Sequence, residues 1–222
     1  MSAQLDLNLL TASSIHEVKN LLGQLTLSLE EIAQAQCPGT EQEVASARFA
    51  CSRVVDRLTE IMILYKLDGG HLHPSIAAHS PADFLEDLLL SAKNLTAGRV
   101  EIRIEPSTST PDFWFFDRDL TDSALMNALH NALLHAQSWI SLSAEQAGDF
   151  LVFSVADNGL GYPKVLLQAG LDAPLASSQG NGLGLYFASS VAQAHRNQER
   201  RGKVVLENGA AGGGAVFKLF LP

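Results

Sequence analysis

Apolar residues recur at helical spacing along residues 7–35, at Ile15, Val18, Leu22, Leu25, Leu29 and Ile32, and no proline interrupts them. This period predicts a long amphipathic helix. Cys37-Pro38-Gly39-Thr40 breaks it, and Thr40 with Glu43 has the form of a capping box for a second helix reaching about Leu67. Val44, Ala47, Val54, Leu58, Ile61 and Tyr65 form the stripe of that helix. Two long helices joined by a few residues pack antiparallel, yet a lone hairpin leaves part of both stripes in water. A homodimeric four-helix bundle covers them.

The pattern changes after Gly69-Gly70, which ends the second helix, and Pro74 marks a linker. The expected division is therefore residues 1–70 and residues 71–222. Ser80-Pro81 reads as a cap and first position of a helix to about Leu95. Residues 100–104 alternate as a strand with one wet face, and residues 113–116 read as a more buried neighbouring strand. A helix over 119–135 and strands over 139–143 and 150–155 follow, then a helix to about His195. Residues 203–207 and 215–221 form a closing hairpin with Gly212-Gly213-Gly214 at its turn. The expected class is α+β, an antiparallel helical hairpin followed by an α/β sandwich of a mixed sheet with helices on one face.

Composition narrows the function. The chain of 222 residues is 46% hydrophobic and 18% charged, enough to bury a core, and its net charge of −9 argues against nucleic acid as a partner. No apolar run approaches the length of a membrane span, and the N-terminus lacks the basic-then-apolar pattern of a secretion signal. A cytoplasmic protein is expected, with Cys37 and Cys51 as reduced structural thiols. His71, His73 and His79 have no acidic or thiol companion at metal-binding spacing and read as linker residues.

Candidate chemistry centres on Val155-Ala156-Asp157-Asn158-Gly159-Leu160-Gly161, an apolar strand running into an acidic, glycine-rich turn. A carboxylate at a strand end can accept from an exocyclic amine such as adenine's, and glycines let the backbone approach a flat ring. In isolation the stretch is better explained as a tight turn. Its company changes that. Asn127 and Asn131, four apart on the upstream helix, face one way with His135 a turn further, and Gly180-Asn181-Gly182-Leu183-Gly184-Leu185 opens a helix downstream. Those glycines bring backbone N–H groups and a positive helix end towards phosphate. This order resembles the asparagine box and two glycine boxes of the ATPase superfamily shared by histidine kinases, gyrase and mismatch-repair ATPases.

The first helix carries Ser13-Ser14-Ile15-His16-Glu17-Val18-Lys19-Asn20-Leu21-Leu22, which resembles the phosphoacceptor box of sensor histidine kinases, with Leu21 where a proline often follows. A neutral imidazole offers a nitrogen to a phosphoryl group, and an adjacent carboxylate can fix its tautomer or take its proton. Asn20 lies one turn on, where it could orient a water for dephosphorylation. The resemblance implies an ATP-dependent protein histidine kinase that autophosphorylates His16 and passes the phosphoryl group to an aspartate in a response-regulator receiver domain. It assigns catalysis to His16, Glu17 and Asn20, and magnesium to Asn131. The nucleotide goes to Asn127, Asn131, His135, Asp157, Gly159, Gly161, Lys164, Gly180, Gly182, Leu183 and Gly184. The lid from Tyr162 to Gln179 is short for that family and brings one basic residue, Lys164, and Leu134 stands where a basic residue is common. An ATP-independent histidine phosphotransferase relay with a degenerate nucleotide domain is the alternative, and a serine kinase of the anti-sigma type leaves the His16 box unexplained.

Overall fold

The computed structural model describes residues 41–96, 100–168, 181–209 and 213–222, together with helical positions 22, 23, 25, 26, 29 and 32. The chain divides into two compact units, Met1–Gly69 and Gly70–Pro222.

In the first unit, helix α1 (Glu41–Asp68) follows the expected second helix. Gly69 N–H donates to the Tyr65 carbonyl, and Gly70 adopts φ of 68°, the left-handed conformation that ends a helix at little steric cost to glycine. Buried Glu60 is held by Arg57 at 2.8 Å, one turn back. Val54, Ile61 and Tyr65 remain exposed on the same helix at seven- and four-residue spacing.

The second unit is a mixed five-stranded sheet with helices on one face. It comprises β1 (Ala77–His79), α2 (Pro81–Thr96), β2 (Glu101–Ile104), β3 (Trp114–Phe116) and α3 (Arg118–His135). Then come β4 (Trp139–Ala147), β5 (Phe150–Asp157), the short α4 (Lys164–Gln168), α5 (Asn181–Ala194), β6 (Arg196–Asn197), β7 (Arg200–Arg201), β8 (Lys203–Asn208) and β9 (Ala215–Leu221). The sheet order is β2-β4-β5-β9-β8; β2 runs parallel to β4 and the other neighbours are antiparallel. Strand β9 alternates strictly, burying Ala215, Phe217, Leu219 and Leu221, as a sheet with one covered face requires. Cross-strand partners Phe153 and Leu219, and Val155 and Phe217, share that covered face.

An aromatic triad locks the layers. Phe84 of α2 meets Phe153 of β5 at 5.2 Å and Phe116 of β3 at 5.4 Å, and Phe116 meets Phe153 at 5.6 Å. Edge-on and tilted contacts of this kind add about 0.5–1.5 kcal/mol each beyond burial.

One expected pairing is corrected. Strand β3 does not join β2 in the sheet; it pairs antiparallel with β1, a strand absent from the sequence pattern, in a separate two-stranded ribbon. Only Phe116 is buried, while Phe113 and Phe115 are exposed. An unbroken aromatic run carries no period-two information, so its burial could not be read in advance.

Candidate functional site

The site lies where β5 ends. Leu151, Phe153 and Val155 face the helices, and the two-residue period of a strand puts Asp157 on that same face, 6% exposed. Its Oδ1 accepts from Gly159 N–H at 2.7 Å and from Ala215 N–H at 3.3 Å. Two backbone donors thus orient the carboxylate, and among the described residues no hydrogen bond reaches its other oxygen. That arrangement can accept a hydrogen bond from a bound amine.

The turn after Asp157 is shaped by close approach. A Cβ at Gly159 would collide with the His135 carbonyl at the end of α3, so only glycine lets the turn lie against that helix. Asn158 serves the scaffold. Its Oδ1 accepts from the N–H groups of Gln137, Ser138 and Trp139 at 3.0–3.1 Å, and its Nδ2 donates to Ser138 Oγ at 2.8 Å. Gly161 turns the chain with φ of 78°. The next residue is clamped: Tyr162 N–H donates to Asn208 Oδ1 at 2.6 Å, and Asn208 Nδ2 donates to the Tyr162 carbonyl at 3.0 Å. Burial, with the Asp157 carboxylate nearby, pushes the Tyr162 phenol well above its usual range and keeps it protonated.

Helix α3 supplies the opposite wall. Asn127 is buried and Asn131 half-buried, and Asn131 Nδ2 donates to Asn127 Oδ1 at 3.3 Å, as residues one turn apart can. Gly184, in the first turn of α5, lies so close that a Cβ there would collide with the Asn127 amide. Helix α3 thus meets the turn after β5 at its C-terminal end, through Gly159 and the His135 carbonyl, and meets α5 eight residues earlier, through Asn127 and Gly184, about 12 Å away along its axis. Gly182 and Leu183 lie in that same first turn of α5. His135 is exposed at the C-terminal end of α3, beside Leu134 at 44% exposure, and Lys164 is exposed at the start of α4. His16, Glu17, Asn20 and Gly180 lie outside the described residues.

The donor set bears on a metal. Among the described residues no group of three His, Cys, Asp or Glu side chains could hold one. Asn131 uses its Nδ2 on Asn127, which leaves its amide oxygen as a hard, neutral donor. One such oxygen fits magnesium, an ion that takes oxygen donors and would draw most of its other ligands from sources other than protein side chains.

Two residues outside the motifs hold the scaffold. Asp117 caps α3, its Oδ1 accepting from Leu120 N–H at 2.9 Å and its Oδ2 from Ser75 N–H at 2.6 Å. Its own N–H donates to His195 Nε2 at 3.0 Å, and His195 Nδ1, 2.8 Å from the Val191 carbonyl, carries the proton. Burial holds this imidazole neutral, with its pKa below the usual value. Sequence reading missed both: the cap had a local signal, an acid just before the helix, whereas the histidine bond spans 78 positions and had none.

Comparison with known proteins agrees with this architecture. Residues 116–222 match the family described as histidine kinase-, DNA gyrase B- and HSP90-like ATPase. The signal transduction histidine-protein kinase AfsQ2 of Streptomyces coelicolor is 38% identical over 107 residues, 46% of this chain and 19% of that protein. The nitrogen regulation protein NtrY of Azorhizobium caulinodans is 24% identical over 93% of this chain and 27% of its own length. The chain thus spans roughly a fifth to a quarter of these relatives. Among solved structures, full-length ShkA in complex with AMPPNP aligns with a TM-score of 0.63 at 21% identity, over 96% of this chain and 45% of that one. The Acinetobacter baumannii histidine kinase AdeS aligns with a TM-score of 0.58 at 13% identity, over 90% of this chain and 94% of its own. Residues 116–222 are an ATPase domain of the histidine kinase-, DNA gyrase B- and HSP90-like family, of the kind carried by sensor histidine kinases.

Proposed function

We propose that this chain is an ATP-dependent histidine kinase, in which residues 71–222 bind ATP and residues 1–70 present His16. The observation that carries the proposal is Asp157: a buried strand-end carboxylate with one oxygen fixed by two backbone donors and the other available to the adenine amine. Asn127, Asn131 and His135 on α3, with Lys164, line the triphosphate, and Gly180, Gly182, Leu183 and Gly184 offer backbone N–H groups at the start of α5. Asn131 would offer its amide oxygen to magnesium brought with the nucleotide, and the metal would supply neutralisation of phosphate charge.

Chemistry then rests on His16. Its unprotonated ring nitrogen forms the P–N bond as the bond from the γ-phosphorus to the bridging oxygen breaks, ADP leaves, and Glu17 takes or orients the imidazole proton. The phosphoryl group passes from His16 to an aspartate of a receiver domain, and Asn20 positions water for the reverse, phosphatase activity. The exposed Val54, Ile61 and Tyr65 of α1 supply the apolar stripe for a homodimeric four-helix bundle. A need for ATP and for a receiver domain assigns this part of the protein to the cytoplasm. No helix among the described residues is long and apolar enough to cross a membrane.

Incubation with γ-labelled ATP and magnesium tests the reaction. Acid-labile label on the wild type, lost in His16→Ala while ATP binding persists, is the expected result. No label on the wild type favours the ATP-independent relay. Label retained by His16→Ala moves the phosphoryl group to another residue.

A further inference from the structure

Three strand ends meet beside Asp157. Asn208 ends β8 and is the cross-strand partner of Ala215, which begins β9 and donates its N–H to Asp157 Oδ1. From that position Asn208 reaches across to the turn after Gly161 and grips both backbone polar groups of Tyr162, at 2.6 and 3.0 Å. The grip is close, because a Cβ added at Gly161 would lie 2.8 Å from the Asn208 side chain. Tyr162 is thereby held half-buried at the sheet end that carries Asp157. Two hydrogen bonds to the backbone of one residue constrain it as a strand pairing would, so Asn208 fixes the backbone from which the Tyr162 side chain projects.

An exocyclic amine does not by itself define adenine. The ring nitrogen beside it, N1, is an acceptor, and the carboxylate that accepts from the amine cannot also serve N1. The position next to Asp157 therefore calls for a donor. A protonated phenol is one, and neither Asn158, which is spent on the loop before β4, nor glycine offers a side chain for it.

We infer that Tyr162 is a second base-reading residue, its hydroxyl donating to the purine N1 edge beside the amine held by Asp157, and that Asn208 is the positioning residue that aims it. The inference rests on the nucleotide-binding role given to Asp157 above. The phenol stays neutral across the physiological range, since burial and the nearby carboxylate both oppose its ionisation. Guanine reverses both edges: a carbonyl would face the Asp157 carboxylate and a ring N–H would face the phenol, so the pair selects adenine over guanine.

Calorimetric titration of the full chain with ATP and with 1-deaza-ATP, which carries C–H in place of N1, tests this. Wild type should bind ATP roughly three- to tenfold more tightly than 1-deaza-ATP, the range of one net hydrogen bond. Tyr162→Phe should weaken ATP by a similar factor and bind the two nucleotides equally. Asn208→Ala should also collapse the ratio, whereas a loss of general stability would lower both affinities and keep the ratio. Wild type that binds ATP while Tyr162→Phe preserves its preference for ATP over 1-deaza-ATP overturns the role of Tyr162. Wild type with no measurable affinity for ATP overturns the assignment of Asp157 and this inference with it.

Discussion

Replacing Asp157 by asparagine exchanges one oxygen for an NH₂ group at nearly constant volume, and the surrounding backbone decides which way the amide points. Gly159 N–H and Ala215 N–H both donate to the present Oδ1. An amide turned with its NH₂ towards them would set donor against donor and forfeit both bonds, at about 1–3 kcal/mol for each unsatisfied buried group. The oxygen of the introduced amide is therefore locked inward and its NH₂ is presented to the ligand. For adenine the consequence is the loss of a charge-assisted bond, about 1.5–3 kcal/mol, together with an amine facing another donor, a further 1–3 kcal/mol. The sum, roughly 3–6 kcal/mol, corresponds to a 10²- to 10⁴-fold weaker complex. The fold should survive, because both backbone donors keep an acceptor. Calorimetry gives the affinity and a thermal melt followed by circular dichroism gives the fold. A folded Asp157→Asn protein with unchanged ATP affinity would refute adenine recognition by this residue.

Gly184→Ala should destabilise the second unit by about 1–3 kcal/mol, because its Cβ must displace the buried Asn127 amide; denaturant melts check this, and an unshifted midpoint contradicts the packing. Acidification should weaken the same unit through His195. Its folded pKa is lowered, so the unfolded state binds more protons; the stabilisation is complete above the ordinary histidine value near 6.5 and is lost as pH falls through the lower folded value. Denaturation midpoints at pH 7.5 and 5.5 should differ more for wild type than for His195→Gln. In sedimentation the full chain should behave as a dimer and Ile61→Lys as a monomer, since the charge would sit in the exposed stripe of α1; a dimeric variant would remove that stripe from the interface.

What the sequence determined by itself is local. Helical spacing announced α1, with its end at Gly69-Gly70, and Ser80-Pro81 announced α2, where Asp83 N–H donates to Ser80 Oγ at 3.2 Å. Residues 215–221, read as the second strand of a closing hairpin, announced β9, but Val216 and Phe220 are as apolar as their neighbours, so the sequence did not say which face is buried. Once Phe153 is seen to face the helices, the two-residue period of β5 places Asp157 on that face as well. Only the tertiary structure decided which partners those faces meet. Ala215, 58 positions from Asp157, completes the carboxylate's hydrogen bonds, and Asn208, 46 positions from Tyr162, fixes the turn. The contact of Gly184 with Asn127 and the pairing of β3 with β1 likewise depend on how layers stack. Periodicity states which side of an element is buried; it carries no information on what distant segment arrives to cover it, because that choice is made by the packing of the whole sheet against α2, α3 and α5.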